Sequence, residues 1–180
     1  MDMMEKDAVL LKLTERLRGH GSWCGETHMQ KATYLLQDML HVPMGFDFIL
    51  YKHGPFSFEL KDEITEMRAD TLLTWQEQPA PYGESLLVAP LGRQMLESHK
   101  SDITLYEKQI EYVAKIINNQ GVKDLERLAT AFYVRNTCGK ISLEEQVNQL
   151  RQFKPHITEE EARQAVQEID KIVQDVNKMG

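Results

Sequence analysis

Cysteine is scarce in this 180-residue chain, which has only Cys24 and Cys138. Two thiols so far apart supply no disulfide framework and fit a reducing, cytoplasmic setting. Long apolar runs are missing too: none approaches the roughly 18 to 20 residues that a membrane-spanning helix needs. The opening Met-Asp-Met-Met-Glu-Lys-Asp has neither the basic start nor the apolar stretch of a signal peptide. Positive charge is in deficit, with 21 basic against 28 acidic side chains and a net charge of −7. At long range such a chain repels phosphate backbones and anionic membranes. Glycine-rich phosphate loops, His-Glu-x-x-His and Gly-x-Ser-x-Gly are all absent, so no enzyme mechanism, metal or cofactor is expected. What is present is 42% hydrophobic residues, enough for a real core in one domain or two small ones.

Helical periodicity dominates. Leu10, Leu13 and Leu17 share a face of a predicted helix from Met4 to Arg18 that stops at Gly19. After a loop with three glycines, Thr27-x-x-Gln30 reads as a capping box opening a second helix, whose stripe is Met29, Ala32, Leu36, Met39 and Leu40. Phe46 to Tyr51 reads as extended and runs into the turn Lys52-His53-Gly54-Pro55. Ser57 stands at the N-cap of a third helix ending near Arg68. Leu72–Glu77 and Ser85–Ala89, joined by the turn-rich 78–84, read as a β-hairpin, and Leu91–Glu97 as a short return helix.

That element order matches a winged helix-turn-helix module over residues 1–98. From Ser101 the stripes Ile103, Tyr106, Ile110, Val113, Ile117 and Leu125, Leu128, Ala129, Phe132 follow. Capping boxes at Ser142-x-x-Glu145 and Thr158-x-x-Glu161 open two more helices. The expected fold is therefore mainly α with some β. A winged-helix-like N-terminal half with one β-hairpin is followed by a four-helix extension over 101–180, packed on it as a second part or within a single domain.

Two stretches resemble a known family when taken together. Thr27-His28-Met29-Gln30-Lys31-Ala32-Thr33-Tyr34 resembles the Leu-Gln-Lys-x-x-Tyr helix of the Panacea (SocA-like) family and its YwgA-like branch. Tyr51-Lys52-His53-Gly54-Pro55-Phe56-Ser57-Phe58-Glu59-Leu60 resembles that family's Tyr-x-x-Gly-Pro-aromatic-Ser-x-Glu-Leu signature. Asp124 to Thr130 and Phe153-Lys154-Pro155-His156 are similar to the YwgA-like C-terminal half. Met29 stands where the family commonly has Leu.

The resemblance implies a non-enzymatic, antitoxin-like or adaptor protein that binds a protein partner, such as a toxin encoded nearby. The family-signature positions, structural or partner-binding, are Gln30, Lys31, Tyr34, Tyr51, His53, Gly54, Pro55, Ser57, Glu59 and Leu60. Read from the residues alone, Gly54-Pro55 makes a tight turn and Ser57 caps the helix after it. Tyr34, Tyr51 and Phe56 are suited to bridge the second helix, the strand and the turn.

Other readings weigh less. His20, Cys24 and His28 are spaced by four, but glycines break the helix that would align them, and a structural zinc site needs a fourth ligand. Cys24 beside His28 lacks the rest of a nucleophile's machinery. The alternative to a protein-binding module is a winged-helix DNA-binding regulator. Its reading helix would carry Lys61 and Arg68 against Glu59, Asp62, Glu63, Glu66 and Asp70, an unfavourable balance for a phosphate-lined groove. A basic patch for DNA would have to come from separated residues such as Arg16, Arg18, Lys31 and Lys52. Residues 1–100 hold 10 basic and 15 acidic side chains, and 101–180 hold 11 and 13. The acidic excess lies mainly in the half shaped like a DNA reader. A protein partner or self-association is thus expected, with membranes excluded and nucleic acid disfavoured.

Overall fold

The computed structural model describes residues 1–78, 83–118, 120–139 and 141–179, so part of the hairpin connection expected over 78–84 lies outside the described residues. The chain is mainly helical with two small antiparallel hairpins. In order it forms α1 (Met3–Gly19), α2 (Glu26–Tyr34), a π-helical segment (Leu35–Met39), β1 (Ile49–Tyr51), β2 (Gly54–Phe56) and α3 (Phe58–Ala69). Then come β3 (Leu73–Gln76), β4 (Ser85–Val88), α4 (Pro90–Ser98), α5 (Lys100–Thr104), α6 (Glu107–Ile117), α7 (Val122–Cys138), α8 (Leu143–Phe153) and α9 (Glu159–Met179). Among the described residues no helix is long and apolar enough to cross a membrane.

Two compact units emerge. The first comprises Met1–Phe48 and Ser57–Gln120, the second Ile49–Phe56 and Gly121–Gly180. The division expected near residues 98 to 101 therefore falls inside the first unit. The reason is that an apolar stripe states that a face is buried, not against what. The α6 stripe Ile110, Val113 and Ile117 is fully buried, and α6 packs on α1 within the first unit.

The first unit is built around α1. Asp2 and Glu5 close a capping box, each carboxylate accepting the other's amide at 2.9 Å. Leu10, Leu11, Leu13 and Leu17 are all fully buried, because α1 packs against α2, α4, α5, α6 and β4. Each such leucine contributes about 1.5–3 kcal/mol. Ser57 caps α3 as expected, accepting the Leu60 amide at 3.2 Å. The capping box expected at Thr27 and Gln30 does not form. α2 starts one residue earlier with Gly25 as N-cap and no side-chain cap, and Gln30 is engaged elsewhere. The β3–β4 hairpin pairs Leu73 with Val88 through Gln76 with Ser85, and Arg18 ties it to α1 through the Ser85 hydroxyl and the Leu86 carbonyl.

The sequence predicts one hairpin; the second belongs to the other unit. β1 and β2 pair Ile49 with Phe56 and Tyr51 with Gly54 around the two-residue turn Lys52-His53. Gly54 sits at φ 92°, a region that costs a residue without Cβ little, and this lets so short a turn close. Pro55 has no N–H for a sheet ladder, which suits a two-stranded ribbon. β2 packs on α7, and α7, α8 and α9 pack on one another. Leu125, Leu128, Val147, Leu150, Val166 and Ile169 form their core. The boxes at Ser142 and Thr158 both form, with Ser142 and Thr158 hydroxyls accepting the Glu145 and Glu161 amides at 3.2 and 3.1 Å.

Candidate functional site

The ten signature residues divide between the units. Gln30, Lys31, Tyr34, Ser57, Glu59 and Leu60 lie in the first, and Tyr51, His53, Gly54 and Pro55 in the second. In the first unit their centre is an amide clamp. The Gln30 side chain donates to the Ser57 carbonyl and accepts the Ser57 amide, both at 2.9 Å. Both residues are buried, so one side chain meets the Ser57 N–H and shares its C=O with the Lys61 amide. Leu60, fully buried, anchors the helix that Ser57 caps, and the Glu59 carboxylate accepts the Asp47 amide at 3.1 Å. Tyr34 packs its ring on Phe48, with centroids 5.1 Å apart. Lys31 is buried as well. These residues secure α2 to α3, and most of them face inward.

In the second unit the signature reaches solvent. Tyr51 is 46% exposed and stacks at 5.7 Å on Phe56 across the ribbon. Of the three aromatics singled out in the sequence, Tyr34 pairs with Phe48 in the first unit, and Tyr51 with Phe56 in the second. His53, at the turn, lies 3.2 Å from the Glu126 carboxylate of α7. The other Glu126 oxygen lies 3.4 Å from the Lys154 ammonium, which is only 3% exposed. Glu126 lies within α7 and Lys154, 28 positions on, at the C-cap of α8; the sequence singles out the two stretches that carry them, but not their contact.

His20, Cys24 and His28 have separate partners. His20 Nε2 lies 2.8 Å from Glu111, while His28 Nε2 lies 3.4 Å from the Gln120 carbonyl. Burial holds His28 below its ordinary pKa, and among the described residues its Nδ1 has no hydrogen-bond partner. Cys24 is fully buried beside Met29, and burial pushes its thiol up to about 12, so it is a thiol rather than a nucleophilic thiolate. Among the described residues no group of three His, Cys, Asp or Glu side chains is suited to a metal ion.

One perturbed pair has no counterpart in the sequence reading. Asp7 of α1 is 8% exposed and hydrogen-bonded to Glu63 of α3. Burial first, then this second carboxyl, pushes Asp7 up to about 7. Its Oδ1 has no hydrogen-bond partner among the described residues. The contact lies between α1 and α3.

The outer side of α3 is acidic. Glu59, Lys61, Asp62, Thr65 and Glu66 are exposed, and the Arg68 guanidinium lies 4.7 Å over the Trp75 ring. Lys61 is thus the one basic side chain among the fully exposed residues of this helix, with Phe58 half-exposed at its start. The sequence matches no family model and no curated protein.

Proposed function

We propose that this chain is a cytoplasmic, non-enzymatic protein-binding module of the antitoxin or adaptor kind that the Panacea-like resemblance implies. In this reading α1, α2, α3 and the β3–β4 hairpin form a winged-helix-like arrangement used for protein contact. The observation that carries it is the acidic outer face of α3, with Glu59, Asp62 and Glu66 exposed. A DNA-reading helix needs cations toward phosphates, and this face repels them. A basic protein surface is its natural complement, and steering by opposite charge speeds such an encounter.

The experiment is co-expression with the product of the adjacent gene. The pair is expected to copurify and the partner's growth inhibition to be relieved. The double variant Asp62→Lys/Glu66→Lys, with both sites exposed, is expected to fold normally and weaken the complex at least about tenfold. Failure to copurify, or wild-type binding by the double variant, overturns the proposal. Tight, salt-dependent binding of duplex DNA by the wild-type chain would replace it with the regulator reading.

A further inference from the structure

The second unit contains a cavity of about 310 Å³ at the start of α7, the α8–α9 connection and the start of α9. Its walls hold charged groups of both signs, so its preference depends on which are already engaged. The acids are engaged. Glu161 accepts the Thr158 amide at 2.8 Å, its hydroxyl at 3.1 Å and the Arg127 guanidinium at 2.6 Å. Asp124 accepts the other arm of Arg127, which leaves that guanidinium occupied as well. Glu126 lies between Lys154 and His53.

The donors are not all engaged. The Lys154 ammonium is 3% exposed yet has a single acceptor, at the long distance of 3.4 Å. A buried ammonium carries three N–H groups and is stabilised only when they are met. Lys123 and His156 line the same cavity with no partner among the described residues. Gly121, the N-cap of α7, offers no side chain to the first amides of that helix. Unspent donors therefore face this cavity at Lys154, Lys123 and His156, alongside carboxylates that each already hold a cation or a histidine ring.

We propose that this cavity binds a small organic oxyanion, a metabolite-sized molecule bearing a carboxylate or phosphate group, with Lys154 as the buried anchor and Lys123 and His156 at the mouth. The volume is at the small end of organic-ligand pockets and larger than a bare anion needs. The ligand would enter as a replacement for solvent at Lys154, giving its two idle donors charged acceptors. The site is independent of the α3 face, so its failure would leave the protein-binding reading untouched.

The test is a titration of the isotopically labelled full-length chain with inorganic phosphate and with succinate, at constant ionic strength, followed by NMR. Saturable shifts confined to Lys123, Asp124, Lys154 and His156 are expected, and the probe that saturates at lower concentration identifies the headgroup. Lys154→Met keeps the length of the buried side chain and is expected to abolish saturation. Lys123→Ala/His156→Ala changes only exposed residues, so it keeps the fold and is expected to weaken binding about tenfold or more. The proposal is overturned if sodium chloride reproduces the shifts, if neither probe saturates, or if the double variant binds as the wild type does.

Discussion

In the first unit polar side chains go inside. Thr14, His28, Gln30, Lys31 and Thr33 are each 2% exposed or less, on helices whose leucines are equally buried. In the second unit most charges, the buried Lys154 apart, stay at the helix margins and pair across them. Arg127 joins Glu161 and Arg135 joins Asp170 between α7 and α9, while Arg163 joins Glu144 between α9 and α8. Inside, a hydrogen bond that breaks leaves a group that water cannot reach, so its loss is expensive. At a margin water replaces the lost partner, and the pair contributes little. The two units should therefore respond very differently to the removal of a single polar contact.

The largest effect is expected from Gln30→Leu, which strands the buried N–H of Ser57 and leaves its C=O with the Lys61 amide alone. A loss of about 3–4 kcal/mol in urea unfolding is expected, from one orphaned amide at up to about 3 kcal/mol and one lost bond to the carbonyl at about 1 kcal/mol. Next is Gly92→Ala on α4. A Cβ there would lie 2.3 Å from the Leu72 carbonyl oxygen, a backbone atom that cannot step aside. About 3 kcal/mol of destabilisation is expected by the same measurement, because the clash displaces backbone.

The third prediction concerns pH. Asp7 binds its proton far more tightly folded, at about 7, than at its ordinary value of 3.8. Its contribution is fully present below pH 4, falls as the pH rises toward 7 and is level above that. Asp7→Asn should remove this slope and stabilise the protein at pH 8 by about 2 kcal/mol, below the full linkage value because Glu63 is only half-buried. Thermal melts of both proteins at pH 5 and pH 8 would show the slope in the wild type alone. The smallest effect is expected in the second unit. Arg135→Ala should cost less than about 1 kcal/mol, and less still in high salt. An Arg135→Ala loss as large as that of Gln30→Leu would erase the contrast between the units.

Features that depend on neighbours in the chain were legible in the sequence. The caps at Ser57, Ser142 and Thr158 form as read, because a hydroxyl three residues from the amide it accepts needs no tertiary information. The stripes of α6 to α9 were readable for the same reason. The Asp2–Glu5 box was equally available and went unread. Thr27 shows the limit of the pattern: its spacing to Gln30 is right for a capping box, but tertiary structure assigns Gln30 to Ser57. The β1–β2 ribbon, the Asp7–Glu63 pair and the Glu126–Lys154 contact all join segments whose meeting only the fold decides. Of the signature positions, the sequence marked which residues matter to the turn and the cap, yet not which would face solvent. Tyr51, His53 and Glu59 do, while Gln30, Lys31, Tyr34, Ser57 and Leu60 do not.

The Gln30 clamp also bears on how the chain folds. It joins positions 27 apart in sequence, and the segment it closes carries the whole β1–β2 ribbon, which belongs to the other unit. Closing a loop of that length costs about 3 kcal/mol of chain entropy before any contact repays it. The path leaves the first unit at Phe48 and re-enters at Ser57, the residue whose amide and carbonyl Gln30 holds. The clamp therefore marks the re-entry point, and α3 cannot be seated by local interactions alone. Slower refolding in Gln30→Leu would mean that this crossing is made in the folding transition state. Faster unfolding with an unchanged refolding rate would mean that it is made afterwards.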